Sequence, residues 1–92
     1  MRIIYEWQFR KSLQSIVKYI AKDNSSASKI FKKDLKDKFE LLIDNPYMYR
    51  ASLYFKNDDS YRDMIYMGYT VIYKVDNNEI KVLDIFKWED KF

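Results

Sequence analysis

The chain has 92 residues, of which 48% are hydrophobic, which is one domain's worth of sequence with enough apolar content for a small core. Seventeen Lys and Arg against fourteen Asp and Glu leave a net charge of +3, a balance too mild to select a partner class. The chain has no Cys and no His, which excludes a disulfide scaffold, a Cys nucleophile, a Cys/His zinc site, a His general base and a Ser-His-Asp triad.

Residues 2–5, Arg-Ile-Ile-Tyr, form a short apolar run that suits a brief buried strand. Phe9, Leu13, Ile16, Val17 and Ile20 then recur at helical spacing on one face, while Arg10, Lys11, Gln14, Ser15, Lys18 and Lys22 fall largely elsewhere. This predicts a helix over residues 7–22. Asp23-Asn24-Ser25-Ser26 reads as a turn that also supplies N-cap side chains to a second helix. Ala27, Phe31, Leu35, Phe39, Leu42 and Ile43 make a second apolar stripe. Pro46 disfavours helix in the residue before it, so the second helix is predicted over residues 26–44. Two amphipathic helices with a short polar join predict an antiparallel helical hairpin.

After Pro46 the period changes. Residues 47–60 are ambiguous: Leu53-Tyr54-Phe55 suits a further short strand, and residues 56–60 suit a loop. Residues 61–66 resemble a strand, Met67-Gly68 a tight turn, and residues 69–75 a strand rich in β-branched and aromatic side chains. Tyr69, Val71, Tyr73 and Val75 share one face of it, and Thr70, Ile72 and Lys74 the other. Asp76-Asn77-Asn78 is a turn signal, and residues 79–86 make the last strand. Strands joined by such short turns must be antiparallel. Gly68 and Pro46 are the chain's single Gly and single Pro, so Gly-rich phosphate loops are excluded. No apolar run approaches the ~18 residues of a membrane span, and no targeting segment is visible. The reading is a single α+β domain over residues 1–92, with a short N-terminal strand. An antiparallel helical hairpin packs on a curved antiparallel sheet of three to four strands, the natural two-layer solution.

The positive charge is uneven. Residues 1–46 hold ten basic and six acidic residues, and residues 47–92 hold seven and eight. Lys29, Lys32, Lys33 and Lys36 form a basic stripe on the second helix. Such a stripe is either a solvated face or a dock for an acidic partner. Nine tyrosines suit half-buried pleated surfaces, and Tyr is also enriched at recognition surfaces. Tyr47, Tyr49 and Tyr54, with Arg50 and Lys56, are candidate exposed contacts for a target. Trp88 and Phe92, large aromatics near the chain end, either cap the core or join a binding surface, and Trp88 is a further target-contact candidate.

In order and spacing the chain resembles the RelE/ParE superfamily of type II toxins over nearly its whole length. The markers are Phe9, Leu13, Ile16, Tyr19 and Ile20 in the first helix and Ala27, Leu42 and Pro46 around the second. Tyr61-Arg62, the block from Gly68 to Tyr73, and the apolar strand from Ile80 to Phe86 complete them. The resemblance implies a cytoplasmic toxin with no cofactor, metal or membrane role, bound in a hetero-oligomer by a cognate antitoxin. The antitoxin would be an extended, often helical segment, and the lysine stripe is its candidate dock. The RelE-like branch resembles a metal-independent, ribosome-dependent mRNA interferase that uses Lys and Arg to stabilise charge on the scissile phosphate. The ParE-like branch resembles an inhibitor that acts by binding DNA gyrase.

Carried over residue by residue, the nuclease set is depleted here. Arg62 supplies the basic residue expected after the strand Tyr, and Lys87 the one expected after the last strand. Met64, Thr70 and Trp88 stand where further basic residues are expected. Arg62, Lys87 and Tyr61 therefore remain the candidates for a nuclease. The ParE-like reading, gyrase inhibition by binding, is favoured, and the RelE-like interferase is the alternative.

Overall fold

The structure is a computed structural model that describes residues 1–87. The element order is β1 (Arg2–Tyr5), α1 (Trp7–Asp23), α2 (Ser25–Asp44), β2 (Arg50–Ala51), β3 (Tyr61–Tyr66), β4 (Tyr69–Asp76) and β5 (Glu79–Lys87). The helix and strand periods place every major element within a residue or two of its predicted bounds. Trp88 and Phe92 lie outside the described residues.

One residue joins the two helices. The Asn24 N–H closes α1 by donating to the Ile20 carbonyl, and its Oδ1 opens α2 by accepting from Ala27 N–H at 3.0 Å. Asn suits this junction because its short side chain replaces a backbone partner at a helix N-terminus. The tight join returns α2 alongside α1 and makes the hairpin.

The sheet has five strands in the order β1-β5-β4-β3-β2. β4 lies at its centre, so Thr70, Val71, Ile72 and Tyr73 are all buried even though they alternate between faces. β3, β4 and β5 form an antiparallel meander, as their short turns require. In the first of these turns Met67 and Gly68 both have positive φ, at 49° and 82°. Such a turn matches the twist of the flanking strands.

Two features differ from the expected sheet. First, β1 pairs in parallel with β5, so the sheet is mixed. β1 runs straight into α1 and has no neighbour to form a hairpin with. It borders the last strand because the helical hairpin carries the chain across the sheet. Second, the extra short strand is Arg50–Ala51, and Leu53-Tyr54-Phe55 lies outside any strand. The Leu53 N–H donates to Asp63 Oδ2 at 3.0 Å instead of to the backbone of β3. That side-chain bond turns the segment off the ladder and ends β2.

The core lies between the hairpin and one sheet face. Phe31, Leu35, Phe39 and Leu42 of α2 and Phe9 of α1 meet Met64, Tyr69, Val71, Tyr73, Val75, Ile80, Val82 and Ile85. Each such side chain contributes about 1.5–3 kcal/mol on burial. Tyr73 is fully buried, and its hydroxyl donates to the Pro46 carbonyl at 2.8 Å, tying the end of α2 to the centre of the sheet. Burial pushes this hydroxyl up to about 12. In the unfolded chain it ionises near 10, so its contribution to stability is intact below pH ~10 and is lost as pH rises towards 12. A two-unit difference corresponds to about 3 kcal/mol. Urea midpoints at pH 8 and pH 11 are expected to differ in the parent and to differ less in Tyr73→Phe. Tyr66 retains a slope of similar size in that variant. Desolvation, and then its hydrogen bond to Asp34, pushes the Tyr66 hydroxyl up to about 12 as well.

Candidate functional site

α1 and α2 do not meet along their whole length. Between them runs a groove of about 460 Å³. Its floor is Tyr5, Phe9, Leu13, Leu35 and Phe39, and its rim is Arg10, Lys32, Lys33 and Lys36. The floor is apolar because the same helical period that feeds the core leaves the facing edges of the two stripes partly open. Tyr5, Phe9 and Phe39 stabilise it as a mutually packed aromatic triad, with ring centroids 5.4–5.6 Å apart. The lining residues carry no carboxylate, and the nearest acidic partner of the rim is Asp37, paired with Lys33. Lys33 is engaged by Asp37 one turn on, at 3.0 Å, and the hydrogen bond to Asp37 pushes its ammonium up. Lys32 and Lys36 form no ion pair among the described residues. Of the four lysines in the predicted stripe, three border the groove and Lys29 does not. Arg10 was missed by sequence reasoning, which placed it simply off the apolar face of α1.

The three nuclease candidates are not brought together. Tyr61 and Arg62 are consecutive in β3, so the pleat sends them to opposite faces. Tyr61 stacks on Phe55 at 4.0 Å with Lys74 over its ring at 5.0 Å. Arg62 turns to the helix face and is fully engaged there. Its Nε donates to the Asp59 carbonyl at 2.9 Å, its Nη1 donates to the Tyr49 carbonyl at 3.2 Å, and its guanidinium lies 4.7 Å from the Tyr47 ring centroid. Lys87 sits over Tyr19 of α1 at 5.7 Å. Arg62 lies opposite Tyr73 and Lys87 opposite Tyr69 on the two sides of β4. Their backbones are therefore separated by roughly 13 Å along the strand and roughly 10 Å across it. Thr70, the third position of the set, is fully buried on the other face.

The candidate target-contact residues also divide. Tyr47 is 53% exposed and lies under Arg62. Tyr49 is half-buried against the core. Tyr54 is half-buried and packs edge-on against Phe86 at 5.4 Å. Arg50 is 3.6 Å from the buried Asp63 carboxylate. Lys56 is exposed. The apolar side chains that this segment does expose are Met48, Leu53 and Phe55. No periodic signal marks them, because the segment has no regular structure.

The residues that match the family described as "ParE toxin of type II toxin-antitoxin system, parDE" run from 3 to 92. The chain belongs to the ParE toxin family. The fold agrees with that membership. A solved structure described as the chromosomal ParDE toxin-antitoxin system from P. aeruginosa superposes with a TM-score of 0.74 at 16% sequence identity, covering 95% of each chain. At that identity the likeness is one of fold. No curated protein matches the chain in sequence. Family membership makes the chain a toxin of a type II toxin-antitoxin system, which implies an antitoxin partner. Among the described residues, no helix is long and apolar enough to cross a membrane, and no cluster of acidic side chains could hold a metal.

Proposed function

We propose that this toxin arrests growth by binding its target, DNA gyrase, rather than by cutting RNA, and that an acidic antitoxin segment neutralises it. The dispersal of the nuclease candidates supports the first part. Stabilising a pentacoordinate phosphate needs cations converging on one point. Arg62 is held by two carbonyls and a ring, Lys87 lies on the far side of β4, and Tyr61 is on the opposite face. The test is a pair of assays after brief induction without antitoxin. Mapping of mRNA 5′ ends is expected to show intact coding regions, and a supercoiling assay is expected to show inhibited gyrase. New 5′ ends inside coding regions would favour the interferase instead.

The α1–α2 groove supports the second part. An amphipathic helix can lay apolar side chains on the Phe9–Leu13–Phe39 floor and acidic ones along Arg10, Lys32 and Lys36. The double variant Lys32→Glu/Lys36→Glu is expected to weaken binding of the cognate antitoxin by roughly a hundredfold, about 3 kcal/mol, with most of the change at low salt. Titration calorimetry at two salt concentrations reads both quantities. Unchanged affinity would move the antitoxin off this groove.

A further inference from the structure

Phe31, Leu35, Phe39 and Leu42 of α2 are buried in the core. Steps of 3 and 4 put Ile30, Lys33, Asp37, Glu40, Leu41 and Asp44 on the opposite side of the helix, and all six are exposed. Ile30 and Leu41 are 59% and 54% exposed, so two large apolar side chains stand within a charged stripe.

The charges of α2 are sorted along its length. Residues 25–36 hold four basic residues and one acidic residue, and residues 37–44 hold three acidic residues and one basic residue. The two exceptions, Asp34 and Lys38, both turn to Tyr66 of β3. Asp34 accepts a hydrogen bond from its hydroxyl at 2.8 Å, and Lys38 lies 5.3 Å from its ring centroid. The outward stripe is thus basic in its first half, at Lys29 and Lys33, and acidic in its second, at Asp37, Glu40 and Asp44.

This order runs against the field of the helix. A helix favours acidic side chains near its N-terminus and basic ones near its C-terminus. α2 has no acidic residue in its first turn and no basic residue in its last, where Asp44 stands. The antiparallel α1 does not compensate, because its single acidic residue is Asp23 at the join. Among the described residues the stripe forms one ion pair, Lys33 with Asp37, and both side chains are exposed. Such a pair contributes little. A local preference broken with no return inside the fold points to a contact outside it.

We propose that the outward face of α2 docks on the same face of a second copy of this chain, with the two helices antiparallel. A two-fold axis crossing between Lys36 and Asp37 sets Lys29 opposite Asp44 and Lys33 opposite Glu40, and symmetry forms each pair twice. The same axis brings Ile30 of one copy within a turn of Leu41 of the other, and it opposes the two helix dipoles. The stripe is complementary to its own reverse. A wholly acidic or wholly basic partner would match only half of it, which favours a second copy as the occupant. Two apolar side chains per copy make this a weak, salt-sensitive dimer. The inference does not depend on gyrase being the target, and its test involves neither gyrase nor antitoxin.

Sedimentation equilibrium of the full chain over roughly 5–500 µM reads the association. The expected result is a reversible monomer–dimer equilibrium that weakens as salt rises. Lys29→Glu/Lys33→Glu makes the stripe acidic throughout, and Glu40→Lys/Asp44→Lys makes its ends basic. Each is expected to weaken self-association by about thirtyfold or more. The variant with all four substitutions has the charge order reversed, so its antiparallel pairs are again opposite in sign. It is expected to return to within about threefold of the parent's dissociation constant. Its charge order suits the helix dipole, so its urea midpoint is expected not to fall, which separates lost association from lost folding. A parent that stays monomeric, double variants that associate like the parent, or a folded fourfold variant that stays dissociated would each overturn the proposal.

Discussion

Phe39→Ala is expected to lower the free energy of unfolding by about 3–5 kcal/mol. Phe39 is 3% exposed and meets the rings of Tyr5 and Phe9 edge-on at 5.4 and 5.6 Å. Truncation leaves a cavity that neither ring can fill without leaving the other. A domain of this size has about 5–15 kcal/mol in total, so the variant loses a large part of it. The urea midpoint is the measurement, and an unchanged slope shows that the same surface is exposed on unfolding. Phe39→Leu keeps much of the volume and is expected to lose less, since cores tolerate apolar swaps better than cavities. A loss below about 1 kcal/mol for the alanine variant would mean that the triad does not brace the groove floor.

Arg62→Ala is expected to cost about 2–3 kcal/mol through lost charge-assisted hydrogen bonds and the lost Tyr47 contact. The guanidinium bridges the Tyr49 and Asp59 carbonyls, which belong to the irregular chain between α2 and β3. Its removal leaves both carbonyls without that donor and frees Tyr47. Lys cannot replace it fully, because an ammonium lacks the planar fork that reaches two carbonyls and stacks on a ring. Arg62→Lys is therefore expected to recover only part of the loss. Chemical denaturation reads both variants. Parent-like stability in the alanine variant would make Arg62 a free cation, and the interferase reading would regain its main candidate.

Arg62 also shows where reading residues one at a time stops. By position after Tyr61 it matches a basic residue of a nuclease set. Its neighbours in space come from residues 47, 49 and 59, and nothing local announces them. The same holds for Tyr49 and Tyr54. Their composition suggests exposed contacts, yet one packs on the core and the other against Phe86. An irregular segment carries no period, so its inward and outward side chains cannot be sorted from sequence. The lysine stripe is more legible, because Lys29, Lys32, Lys33 and Lys36 sit on a helix whose faces follow from spacing alone. What it lacks is Arg10, which joins the rim only because α1 lies alongside α2.

The sequence by itself determined the helices, the meander strands, the division of β4 into two faces and the class of chemistry that no His and no Cys leaves open. Each of these depends on contacts within a few residues or on composition. The place of β1 beside β5, the end of β2 at Leu53, the groove between the helices and the scattering of Arg62, Lys87 and Tyr61 depended on tertiary structure. They arise from contacts between residues far apart in the chain. Backbone pairing between such segments is set by the packing of the whole core, and no local pattern encodes it.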